Sequence, residues 1–205
     1  TTKYLGKLVV TDCINYGTIT GSKGVGGIIG VSELNDADNA LKISGCKNDA
    51  SVTAEKCDTS GYADVGGIVG MGYCVSIVKC ENTGAVAATA EKATKAIGGI
   101  NGRIAKAAST VSSCYNGGTV TSLGYAISYS AASIDTYENN YFKTDCAGKV
   151  ADKDIEIDLA LDSTSAKIYK AGNATVRYIT RLTVDDAAAV ESYGIMIAQT
   201  AETVN

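Results

Sequence analysis

The feature that most constrains this chain is a short phrase written four times at nearly equal spacing. Aligned on cysteine, the copies read CINYGTIT from Cys13, CKNDASVT from Cys46, CENTGAVA from Cys80 and CYNGGTVT from Cys114. The shared pattern is C-x-N-x-[GA]-x-[VI]-x, and successive cysteines lie 33, 34 and 34 residues apart. A second phrase falls between them: VGGIIG at 25–30, VGGIVG at 65–70 and IGGING at 97–102. Its offset from the preceding cysteine is 12, 19 and 17 residues, yet the period hardly changes. An insertion in one loop is matched by a deletion in the next, which is the behaviour of a repeat whose period is fixed by stacking.

Each unit holds three short apolar runs: around TIT or SVT, around GGIIG or GGIVG, and before the cysteine, as in KLVVTDC and VSIVKC. GTIT and GTVT alternate Ile or Val with Thr, the period of a strand with one buried face, and no helical period occurs inside the repeats. The 23 glycines, with many Thr, Val, Ile and Ala, favour β-structure with frequent turns. The expected fold class is therefore all-β, a three-sided parallel β-solenoid of about four ~34-residue coils. At roughly 4.8 Å per rung such a prism stands about 20 Å tall. The solenoid is expected over 1–149.

Equivalent residues of stacked coils form ladders. Cys13, Cys46, Cys80 and Cys114 are expected as small buried hydrophobes. Asn15, Asn48, Asn82 and Asn116 are expected at a turn, where Asn tolerates left-handed backbone and its amide bonds neighbouring main chain. Gly17, Gly84 and Gly118 follow two residues later, with Ala50 as the departure. The pairs Gly26–Gly27, Gly66–Gly67 and Gly98–Gly99 permit a tight corner or a close approach of backbones. A phosphate-cradling loop would occur once, at a helix start, with Lys-Ser or Lys-Thr after it. Here the glycines recur three times without that Lys, so they read as architecture.

The segment 150–205 lacks the motif. It carries ATVRYITRLTV (174–184) as a strand, DDAAAVESYG (185–194) as a short helix and YGIMIAQT (193–200) as another strand. This small β-rich segment either caps the solenoid or begins a second module, and its different texture favours the separate unit.

Composition removes several functions. The chain has no His, Trp or Pro, which excludes the usual His-based triads and His-ligated zinc. A net charge of −4 gives no reason to expect nucleic acid as a partner. No apolar run approaches the ~18 residues of a membrane span, so no membrane insertion is expected. No cofactor is expected. The chain begins at Thr1 and is expected to be a mature or excised portion of a longer protein.

The pairing of C-x-N-x-G-x-[VI] with [VI]-G-G-I-x-G resembles the GLUG repeat, whose Gly-Leu-any-Gly ending corresponds to GIIG 27–30, GIVG 67–70 and GING 99–102. The resemblance covers about residues 8–145. After the fourth cysteine LGYAISYS (123–130) replaces the Gly-Gly phrase, and ENNYFKTDCAG (138–148) is similar to the Tyr-rich stretch that closes such arrays. The family implies a bacterial cell-surface or secreted, adhesin-like protein. Its implied role is a non-enzymatic stiff spacer or ligand-presenting surface, with a host glycan or matrix protein and neighbouring modules of the parent chain as partners. Recognition would fall in the variable insertions 31–45, 55–64 and 88–96.

Other readings compete with this one. Cys57, Cys74 and Cys146 lie outside the ladder, and Cys57–Cys74 is the only conceivable disulfide; no C-x-x-C suggests zinc. NDADN (35–39) offers Asp36 and Asp38 for Ca²⁺ but lacks the Gly and distal Glu of an EF-hand loop, and a solvated turn is the better reading. The T-x-T face suggests ice binding, but Ala85 and Ala87 interrupt it. A carbohydrate-binding or carbohydrate-active fragment is the main alternative. Its acids (Asp12, Glu33, Asp49, Asp64, Glu81) are scattered, and Arg103 is the only arginine of the solenoid. Tyr62, Tyr73, Tyr125 and Tyr129 fall in the variable loops and are the candidate ligand-binding residues, while tyrosines that cover the core are the simpler reading.

Overall fold

The computed structural model describes residues 8–34, 40–106, 108–121, 123–168 and 176–184, with side chains up to 156. The NDADN loop, the helix expected at 185–194 and the strand expected at 193–200 lie outside the described residues. What is described is a parallel β-solenoid. The first turn carries β1 (Val9–Thr11), β2 (Ile14–Asn15), β3 (Ile19–Gly21), β4 (Val25–Gly26) and β5 (Ile29–Ser32). The second repeats this as β6 (Leu41–Ser44), β7 (Lys47–Asn48), β8 (Val52–Ala54), β9 (Tyr62–Gly66) and β10 (Val69–Gly72). The third has β11 (Val75–Val78), β12 (Glu81–Asn82), β13 (Val86–Ala88), β14 (Lys95–Gly98) and β15 (Asn101–Ile104). The fourth begins with β16 (Thr110–Ser112) and β17 (Tyr115–Asn116). It is completed by single bridges from Val120, Tyr125 and Ser128 to the third turn.

Three apolar runs per turn thus become five short strands. The pre-cysteine run and the Cys-x-Asn pair separate because the residue before each cysteine is left-handed: Asp12 (φ 52°), Gly45 (φ 62°), Lys79 (φ 53°) and Ser113 (φ 54°). Within the cysteine–asparagine motif that bend, and not the asparagine, is left-handed, which corrects the expectation for Asn15, Asn48, Asn82 and Asn116. A fifth rung follows in β18 (Thr136–Glu138) and β19 (Asn140–Lys143), again with a left-handed residue, Asn139 (φ 53°), between them.

Register is strict along the stack. Val10, Ile43, Ile77, Val111 and Tyr137 form one inward column, while Val9, Lys42, Ser76, Thr110 and Thr136 face outward beside it. Ile19, Val52, Val86 and Val120 form a second inward column on another wall. The interior divides into two apolar clusters. One gathers Ile43, Ile77, Val111, Ile68 and Ile100 with Cys46, Cys80, Cys114 and Cys146, and the other gathers Val52, Val86, Val65 and Ile97. Between them, in sequence and in space, stand the ladder asparagines and the second glycine of each Gly-Gly pair.

The last rung is closed by different residues in the ladder positions. In the register of the stack Asn140 takes the cysteine position and Phe142 the asparagine position. Asn140 Oδ1 accepts from the Cys114 amide at 3.2 Å and its Nδ2 donates to the Val111 carbonyl at 3.0 Å. Beyond the expected limit at 149, β20 (Asp154–Ile168) pairs parallel with β19, and β21 (Val176–Val184) pairs antiparallel with β20. The strand read at 174–184 is β21. No helix of the described residues is long and apolar enough to cross a membrane.

Candidate functional site

The asparagines of the repeat form one hydrogen-bonded line through the interior. Asn15 Nδ2 donates to Asn48 Oδ1 at 2.7 Å, Asn48 to Asn82 at 2.7 Å and Asn82 to Asn116 at 2.8 Å. Each Nδ2 also donates to the carbonyl two residues on, at Gly17, Ala50, Gly84 and Gly118, between 2.7 and 3.0 Å. A planar amide with donors on one side and an acceptor on the other repeats this pattern without leaving a polar atom unmatched. Asn48, Asn82 and Asn116 are fully buried.

The Gly-Gly phrase is the other half of the device. A Cβ on Gly27 would stand 2.6 Å from Asn48 Cγ, and one on Gly67 or Gly99 would collide with the amide of Asn82 or Asn116. Each glycine therefore lies against the asparagine one rung up, leaving room only for hydrogen. The two half-motifs recur together because they touch.

The cysteines hold the same rungs. Cys46, Cys80 and Cys114 are buried, while Cys13, in the first rung, is exposed, which corrects the expectation of four buried thiols. Among the described residues only the second rung covers Cys13. All seven cysteines are free, so Cys57 and Cys74 do not form the one disulfide considered. Burial pushes the Cys46 and Cys114 thiols above their ordinary range, which disfavours the reactive thiolate.

The most distinctive surface lies where β9 and β14 meet the fourth turn. Three of the four candidate tyrosines come together there. Tyr62 and Tyr129 meet edge-on with ring centroids 6.1 Å apart, and Tyr125 and Tyr129 do the same at 5.8 Å. Tyr73 sits between β10 and β11 and makes none of these ring contacts. Cations lie over the rings: Arg103 is 4.7 Å and Lys95 5.1 Å from the Tyr62 centroid, and Lys149 is 5.7 Å from that of Tyr125. Burial raises the Tyr129 phenol above its ordinary range, and its hydrogen bond with Tyr62 adds to the shift.

Arg103 is held from behind. Its Nε lies 2.8 Å from Asp64 Oδ1, and a terminal nitrogen donates to Asp64 Oδ2 at 2.9 Å. Lys23 reaches Asp64 at 3.4 Å and Asp58 at 3.1 Å. Asp64 is fully buried and left-handed (φ 54°), so its carboxylate turns into the wall and fixes the guanidinium against Tyr62. The backbone amides of Ser60 and Tyr62 bond the Asp58 carboxylate, and with the Lys23 ammonium they hold it below its ordinary range.

The sequence offered two signals for this assembly, the tyrosines of the variable loops and the single arginine of the solenoid. Lys95, Lys149 and the Asp64 ion pair carried none, because they meet only after three loops of unequal length return to one wall. Among the described residues no group of three or more Cys, Asp and Glu side chains is placed to hold a metal ion. The T-x-T positions stack as Thr20, Thr53 and Ala87, so the array is interrupted where Ala87 takes the third place.

No family model, curated protein or solved structure matches the chain.

Proposed function

We propose that this chain is a non-enzymatic module of a bacterial surface or secreted protein, a stiff spacer that also presents a ligand-binding face. The observation that carries this reading is the unbroken asparagine line with its facing glycines, which runs through four rungs and commits the recurring half of every repeat to stacking. What varies from coil to coil is the loop length, and the loops 55–64 and 88–96 bring Tyr62 and Lys95 to one wall. The likeness of both half-motifs to GLUG repeats supports the assignment to the cell surface.

A carbohydrate-active fragment is the second reading, favoured by the tyrosine trio. The carboxylates joined to that patch argue against catalysis. A glycosidase needs two carboxyl groups that both reach the sugar, and Asp64 is fully buried in its ion pair.

The test is a screen of the purified chain on an array of glycans and host matrix proteins, with and without Ca²⁺. Reproducible binding that disappears when loop 55–64 is replaced supports a ligand-presenting module. A blank array removes ligand presentation and leaves the spacer. Release of reducing sugar from any arrayed glycan would overturn the non-enzymatic reading.

A further inference from the structure

The tyrosine wall has a directional charge pattern that narrows its ligand. Tyr62 belongs to the second rung, Lys95 to the third, Tyr125 and Tyr129 to the fourth, and Lys149 bridges onto Tyr125 in the next. The patch therefore runs along the solenoid axis over roughly 14 Å, at 4.8 Å per rung. The three ring centroids span at most about 12 Å of it.

The three cations are not equivalent. The charge of Arg103 is matched by Asp64. Among the described residues Lys95 and Lys149 enter no ion pair with a carboxylate. Other described lysines, such as Lys42, Lys56 and Lys92, also enter no ion pair; what sets Lys95 and Lys149 apart is that each lies over a tyrosine ring, one at either end of the aromatic row. Tyrosine offers an apolar ring with a polar hydroxyl tip to a sugar, and an ammonium beside each end of the row supplies a charge-assisted donor to an acid group. Arg103 is the positioning residue: locked by Asp64, it holds Tyr62 in place before any ligand arrives.

We infer that this wall is a binding site for an acidic oligosaccharide, with the edge-on trio Tyr62, Tyr125 and Tyr129 in contact with the sugar and Lys95 and Lys149 pairing with its carboxylate or sulfate groups. The inference rests on the ligand-presenting reading and adds the ligand class.

The probes are hyaluronan, polymannuronate and chondroitin sulfate octasaccharides, with carboxyl-reduced hyaluronan as the neutral control, measured by calorimetry against the full chain. At least one acidic octasaccharide is expected to bind, the double variant K95A/K149A to weaken it about tenfold or more, and added salt to weaken it further. Lys95→Arg should retain most of the affinity. Lys149 is exposed and Lys95 half-buried, and an unchanged melting temperature of the double variant keeps folding out of the comparison. Equal binding of the reduced control, or binding indifferent to K95A/K149A, overturns the acidic-ligand site. If none of the acidic probes binds while the array gives a neutral glycan or matrix protein, this inference falls and the ligand-presenting reading stands. If both the probes and the array are blank, both fall.

Discussion

At the scale of single residues, the asparagine line sets a graded expectation. Asn82 is fully buried, donates to Asn116 and accepts from Asn48. Asn82→Ala takes one buried hydrogen bond from each neighbour and should cost about 2–4 kcal/mol by urea unfolding. Asn15→Ala, at the part-exposed first rung, should cost about 1 kcal/mol or less. Glycines separate in the same way. A Cβ on Gly67 collides with the Gly99 carbonyl and the Asn82 amide, whereas one on Gly17 meets nothing closer than 3.7 Å. Gly67→Ala should therefore prevent folding or lower the melting temperature by many degrees, and Gly17→Ala should be close to neutral. At the bend before each cysteine the logic reverses. Ser113 is left-handed where Gly45 already meets the need with glycine, so Ser113→Gly should stabilise by up to about 1 kcal/mol. The spacing of the repeat and its residue types alone made the ladder legible. The position of the left-handed residue was not, because Asp, Gly, Lys, Ser and Asn share no side-chain pattern that marks it.

Among elements, two contacts decide how walls are joined. The Asp64–Arg103 pair ties β9 to β15, and Asp64 is fully buried. Arg103→Ala leaves that carboxylate with only Lys23, at 3.4 Å, and should cost about 3–5 kcal/mol. Lys23→Ala, at the exposed end of the same network, should cost well under about 1 kcal/mol. The second contact joins the fifth rung to the segment after 150. The Tyr137 hydroxyl donates to Asp154 Oδ1, and the Ala151 amide donates to Asp154 Oδ2 at 3.0 Å. Burial outweighs both bonds and pushes the Asp154 carboxyl up to about 6 from 3.8. Between those two values the folded chain keeps a proton that the unfolded chain has lost, so stability falls as pH rises through that window, by up to about 3 kcal/mol. Urea midpoints at about pH 4 and pH 7 check this, and Asp154→Asn should flatten the difference. Alternation in ATVRYITRLTV located β21 from sequence alone. The pairing of β20 onto the last rung was not visible there, since a strand that extends a sheet needs no repeat of the motif to do so.

For the whole molecule, the fold follows from one relation repeated: each asparagine amide bonds the amide of the rung above, and each second glycine makes room for it. The candidate site follows from what that relation leaves free. Loop lengths differ while the rungs stay in register, so side chains distant in sequence, such as Tyr62 and Tyr129, arrive on one wall. That convergence could not be read from periodicity, which is blind to where a loop of odd length returns. The tyrosines could be named as candidates and Arg103 noted as the only arginine of the solenoid, but Lys95 and Lys149 could not be joined to them. The most direct test of the central relation is side-chain and backbone hydrogen exchange followed by NMR. The Nδ2 protons of Asn48 and Asn82 are predicted to exchange as slowly as the backbone amides of β7 and β12, and those of Asn15 faster. Exchange of Asn48 and Asn82 at the rate of surface asparagines would contradict the ladder and the stacked solenoid built on it.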